Sequence, residues 1–178
     1  MNDNKLPGSD GEHLLQLEYQ TREKAKSFYE REVHSYITET MEEFIAKQTM
    51  FFISTSDKDG ECDSSFRNGS SICILDKKRF AYPEFHGNGV MASLGNISEN
   101  PNIGLLFIDF FETLSGLHIN GKAHILNLDS SNNLLQKNDM TKLQNFSKGL
   151  AKEQVTWVLV DVLEAYIHCS KNIPQLRR

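Results

Sequence analysis

The chain has 178 residues, 39% of them hydrophobic and 24% charged, with a formal net charge of −5 at pH 7. That length suits one domain, or one domain with a helical extension, and is enough to bury a hydrophobic core. The acidic balance argues against nucleic acid as a main partner, and no window reaches the roughly 18 apolar residues of a membrane span.

In chain order, residues 1 to 9 read as a tail. Ser9 or Asp10 can cap a helix starting near Glu12, and the charged stretch from Leu14 to Val33, free of Gly and Pro, reads as one long half-exposed helix. A second helix follows Thr38 as N-cap, with Met41, Phe44 and Ile45 on its buried face. The character changes at Thr49. TMFFISTS is a β-favouring run, Asp57-Lys58-Asp59-Gly60 supplies a turn, and Cys62 to Phe66 resumes an extended pattern, which makes a hairpin. SICILD (71–76) and RFAYP (79–83) form two further short strands joined at Asp76-Lys77-Lys78. A short helix over 88–98 stops before Pro101. GLLFIDF (104–110) and LHINGKAHILNL (117–128) are strands, 129–150 is a helix capped by Asp129 or Ser130, and 155–169 is a long β-branched strand. Most strands are joined by turns too short for parallel crossovers. The pattern therefore predicts an antiparallel barrel of six or seven strands with helices at its ends.

Two places carry candidate chemistry. Gly87-Asn88-Gly89 precedes the short helix, where free backbone N–H groups favour an anion such as phosphate, and Ser93 and Asn96 share one face of that helix. An ordinary helix start with a glycine turn has the same pattern. Arg67 ends a strand beside Ser64 and Ser65, in position to clamp a phosphate or simply to stand in solvent. No catalytic triad, carboxylate pair or nucleophile elbow stands out. Among His13, His34, His86, His118, His124 and His168 no pair has HxxxH spacing, so no metal site is expected. His118 and His124 share a strand face but lie roughly 20 Å apart. Cys62, Cys73 and Cys169 lack CxxC spacing, and with no secretory signal they read as free thiols of a cytoplasmic protein.

In order and spacing, DSSFRNG (63–69), ILDKKRFAYPEF (74–85), GNGVMASLGNISENP (87–101), GLLFIDF (104–110), INGKAHI (119–125) and CSKNIPQL (169–176) resemble the pyridoxamine 5′-phosphate oxidase-related FMN-binding split-barrel family. The resemblance implies a mainly β fold, a six-stranded antiparallel split barrel over 49–178 with a helical N-terminal extension over 1–48. It implies FMN bound at a homodimer interface, against Ser65, Phe66, Arg67, Tyr82, Pro83, Asn88, Ser93 and Asn96. Arg67 would neutralise phosphate, Ser93 and Asn96 would donate or accept hydrogen bonds, and the backbone near Tyr82 would meet the flavin.

The C-terminus lacks the Arg-x-His arrangement of true pyridoxamine phosphate oxidases, and Asn88-Gly89 stand where those enzymes carry cations, so vitamin B6 oxidation is not expected. The expected function is an FMN-dependent oxidoreductase passing electrons or hydride from a donor such as NAD(P)H to a small molecule. The catalytic side chains are unidentified. The alternatives are a flavin-binding protein used for sensing or storage, and a split barrel that binds haem or another ligand.

Overall fold

The computed structural model describes residues 6–126, 134–168, 171 and 173–177. The chain divides into two compact units, Met1–His34 and Ser35–Arg178.

The first unit is a helical hairpin. Helix α1 (Asp10–Glu18) is capped by Ser9, whose Oγ accepts the Glu12 N–H at 3.1 Å while Glu12 reaches back to the Ser9 N–H at 2.9 Å. Helix α2 (Arg22–Glu32) follows. The single long helix expected here is two, because Gln20 adopts a positive φ of 56° and breaks the ladder without any Gly or Pro to announce it. Gln16 donates to the Tyr29 hydroxyl at 2.7 Å and ties the two helices together.

The second unit opens with helix α3 (Glu39–Lys47), capped by Thr38 as its sequence indicated. Ile37, Met41 and Ile45 are buried in the main core, so α3 packs with the sheet that follows it. Seven strands then form one antiparallel sheet: β1 (Met50–Ser56), β2 (Cys62–Asn68), β3 (Cys73–Asp76), β4 (Arg79–Glu84), β5 (Asn102–Ile108), β6 (Gly116–Leu126) and β7 (Thr156–His168). Their order is β2-β1-β5-β6-β7-β4-β3, one strand more than the six expected from the resemblance. Each apolar run singled out in the sequence supplies one of them.

The connection between the two outer strands shows how the sheet is shaped. Laid flat, seven strands about 4.8 Å apart would put β2 and β3 roughly 29 Å from one another. Only the five Cα steps from Asn68 to Cys73 join them, and these span at most about 18 Å. The sheet must curl, so that β2 approaches the β4–β3 end without pairing with it. Gly69 sits in the short 3-10 turn of this connection, and a Cβ there would collide with the Gln48 carbonyl and lie 2.6 Å from the Met50 nitrogen.

The concave face holds the core: Phe51 and Ile53 of β1, Phe80 and Tyr82 of β4, Leu105 and Phe107 of β5, and Leu117 and Ile119 of β6. The alternation of β1 and β5 produces this, since one residue in two points inward. Helix α4 (Ala92–Glu99) packs on β1, β2 and β6 and buries Ile97. Helix α5 (Lys137–Ser147) covers the opposite face of β3, β4 and β7, where Leu143 joins Cys73, Leu75, Ala81, Trp157 and Leu159. Its N-cap is Gln136, and the expected caps Asp129 and Ser130 lie outside the described residues. Among the described residues, no helix is long and apolar enough to cross a membrane.

Candidate functional site

The curl brings β2 against the stretch of β4 that β3 leaves uncovered. Strand β3 pairs only with Arg79–Ala81 of β4, so Pro83 and Glu84 lie past its end. A proline is tolerated there because no second strand needs its N–H. Glu84 is buried, and Arg67 of β2 meets it across the seam, donating from Nη2 at 2.7 Å and from Nε at 3.0 Å.

The remaining donors of Arg67 are also engaged. Nη1 donates to Ser65 Oγ at 2.8 Å and to the Phe66 carbonyl at 2.9 Å, and Nη2 donates to Ser93 Oγ at 3.2 Å. A guanidinium has five N–H donors, and each has an acceptor within the protein. Ser93, near the start of α4, donates in turn to Asp63 at 3.1 Å, and its Oγ is 3.2 Å from that of Ser65. Strands β2 and β4 and the first turn of α4 thus converge on one closed network of Asp63, Ser65, Arg67, Glu84 and Ser93.

The other expected residues are placed differently. Asn96 lies on the same helix face as Ser93 but donates to Thr55 of β1 at 3.1 Å, which fastens α4 to the sheet. Asn88 folds back locally, its Oδ1 accepting the Val90 N–H at 3.0 Å. Gly87 (φ 51°) and Gly89 (φ 83°) take left-handed backbone, so the helix begins at Ala92, four residues later than the sequence reading. Met91, at the N-cap, is itself left-handed and offers no side-chain cap. Tyr82 turns into the core, edge-on to Phe51 at 5.7 Å. Its hydroxyl is buried with no hydrogen-bond partner among the described residues. Burial pushes its phenol pKa well above the usual value, the charge of Glu84 adds to this, and Arg67 opposes it. Pro83 is buried opposite Trp157. Phe66 is the exception, with 68% of its surface exposed on the outer side of β2.

Five residues therefore meet at the seam, and three of them, Ser65, Arg67 and Ser93, were singled out from the sequence. Glu84 and Asp63 were not. Both lie inside the quoted motifs, and an arginine on one strand with an acidic residue on another buried strand was the available signal.

The phosphate of FMN does not fit this arrangement. Two protein carboxylates stand where a phosphate would bind, Glu84 on the guanidinium and Asp63 at the first turn of α4, whose positive dipole end it neutralises. The formal charge of Asp63, Arg67 and Glu84 together is negative. Residues 86–89, His-Gly-Asn-Gly, bring no lysine or arginine to offset it. A cavity of about 580 Å³ between α3 and residues 108–113 contains none of the expected residues.

Comparison with known proteins identifies the fold. No curated protein matches the chain. Among solved structures, HupZ of Group A Streptococcus is 21% identical, covering 79% of this chain and 99% of that one, with a TM-score of 0.56. A putative pyridoxamine 5′-phosphate oxidase of Lactobacillus delbrueckii is 15% identical over 75% of this chain and 95% of that one, with a TM-score of 0.54. HutZ, the heme storage protein of Vibrio cholerae, is 12% identical over 75% and 94%, with a TM-score of 0.52. At these identities the likeness is one of fold. The family model described as pyridoxamine 5′-phosphate oxidase matches residues 37–169, from the residue before the α3 cap to the end of β7. With three quarters of its length inside that match, the chain belongs to the pyridoxamine 5′-phosphate oxidase family.

Proposed function

We propose that this protein is a flavin-binding split barrel that recognises the flavin by its ring and not by its phosphate. Family membership supports the flavin, and the saturated Arg67 argues against the phosphate as the anchor. The observation that carries the reading is Phe66. It is 68% exposed beside the seam, in register with half-buried Phe52 on β1, which in turn pairs with Leu106 on β5. Val90, just before α4, is 70% exposed. Phe66, Phe52 and Leu106 stand in one cross-strand row and make an apolar platform for a planar conjugated ring. A second copy of the chain covering the same platform would form the proposed homodimer. A bound flavin supplies electron or hydride transfer from a donor such as NAD(P)H to a small-molecule acceptor, and no side chain at the seam is asked to act as acid or base.

The test compares FMN with riboflavin. Both are expected to bind with affinities within about threefold, because every donor of Arg67 is already engaged within the protein. A charge-assisted bond to it would favour FMN by roughly 10- to 100-fold, and a preference of that size would sink the ring-first reading. Uptake of haem with no uptake of either flavin would replace it by the haem alternative. Bleaching of bound flavin by NAD(P)H without air would separate an oxidoreductase from a passive binder.

A second outcome follows from the same geometry. Glu84→Gln removes the carboxylate from Arg67 and lowers the negative charge at the seam. The variant is expected to bind FMN about tenfold more tightly relative to riboflavin, a change of about 1.4 kcal/mol. Titration of the two ligands into wild type and variant checks it, and an unchanged ratio would show that Glu84 is not what excludes the phosphate.

A further inference from the structure

Two histidines distant in sequence meet on the outer face of β6 and β7. His118 faces Tyr166 across the ladder and His168 lies two pairs further along, opposite Gly116. The rings of His118 and His168 stand 5.0 Å apart, centre to centre, inclined at 58°. On its other side His118 stacks on Tyr166 at 4.8 Å and 10°. Glycine at 116 is required by this arrangement, because a Cβ there would collide with Nε2 of His168.

We propose that His118 and His168 form a two-imidazole chelate for a divalent transition-metal cation of the zinc class. The separation fits the chemistry. A zinc–nitrogen bond of about 2.0–2.1 Å puts the centre of an imidazole about 3.2 Å from the ion, and two such ligands at the tetrahedral angle have centres about 5.2 Å apart. Imidazole pairs suit zinc, nickel and copper and not magnesium or calcium, which prefer oxygen. The metal-binding form of histidine is the neutral one. Gly116 clears the space for one ring and Tyr166 fixes the plane of the other, so the pair is held in place before the ion arrives.

No group of three or more His, Cys, Asp or Glu able to hold a metal occurs among the described residues. Two protein ligands leave two positions for water, as at metal sites that keep open coordination. Glu164, on the same strand as His168, accepts a hydrogen bond from Asn120 at 3.2 Å. The metal reading does not rest on the flavin reading, although His118 pairs with Leu106 and so borders that platform, with Phe66 three strands away, roughly 14 Å across the sheet.

The experiment is a titration of Zn²⁺ and of Ni²⁺, each alone, into the full chain carrying no polyhistidine tag, followed by calorimetry and by the NMR shifts of the imidazole nitrogens. One ion per chain is expected, with the nitrogens of His118 and His168 moving together. His118→Gln and His168→Gln should each weaken binding at least tenfold. Gly116→Ala should weaken it as well, since it displaces the His168 ring without removing a ligand, and circular dichroism would show that its fold is intact. His124→Ala, on the same strand face but hydrogen-bonded to Asp161 at 3.0 Å, should leave binding unchanged. Absence of saturable binding, or binding that survives the double His118→Gln, His168→Gln replacement, overturns the proposal.

Discussion

Arg67→Ala is expected to lower folding stability by about 3–5 kcal/mol, the cost of leaving a buried carboxylate without its partner. Glu84 is 6% exposed, and among the described residues its carboxylate accepts hydrogen bonds from Arg67 Nε and Nη2 alone. For a chain of this length the melting temperature should fall by on the order of 10 °C. Removing the charge from both sides, as in Arg67→Ala with Glu84→Gln, should recover a large part of the loss, because the penalty lies in the unpaired ion more than in the lost attraction. Chemical denaturation of the wild type, both single variants and the double variant measures this as a thermodynamic cycle. A single variant within about 1 kcal/mol of wild type would mean that the seam tolerates an unpaired Glu84, and the clasp would lose its structural meaning. The result bears on function too. If Arg67 stabilises the seam through Glu84, it belongs to the fold first and to a ligand only when Glu84 gives way.

A comparable loss is expected from Phe51→Ala, about 3–5 kcal/mol for truncating a fully buried aromatic ring. Phe51 lies at the centre of the core, stacked on Phe107 at 5.0 Å and edge-on to Tyr82 at 5.7 Å. Its ring packs between β1, β4 and β5. Deleting it leaves a cavity that backbone locked into ladders on both sides cannot collapse to fill. Tyr82→Phe is the informative companion. The Tyr82 hydroxyl has no partner among the described residues, so its removal should cost little and can stabilise. A loss above about 1.5 kcal/mol for Tyr82→Phe would reveal a hydrogen bond to water or ligand at that hydroxyl. Urea unfolding of the two variants, read by fluorescence and circular dichroism, distinguishes these outcomes.

The seam accounts for two departures at once. Because β2 approaches β4 without pairing, the sheet keeps seven strands in an open order, and the gap is bridged by side chains instead of backbone hydrogen bonds. The same gap lies beside the exposed Phe66.

Much of the fold was legible in the sequence because its signals are local. Asp57 accepts the N–H groups of Asp59 and Glu61 in the β1–β2 turn, Asp76 accepts that of Lys78, and Thr38 caps α3, each within four residues of its partner. Strand alternation and β-branched runs marked all seven strands, and the small polar residues of the seam were visible as candidates. Local signals missed the break at Gln20, whose positive φ is imposed on a residue with no turn preference of its own. They also could not show which partner each charged side chain would take. Arg67 and Glu84 are 17 residues apart, and His118 and His168 belong to different strands, so both meetings depend on strand register and on the curl of the sheet. The sequence alone determined the strands, their antiparallel pairing and the family. Only the tertiary structure decided that Arg67 is already neutralised and that two histidines converge, because charge pairing and ring contact act through space, between residues that the chain brings together only when it folds.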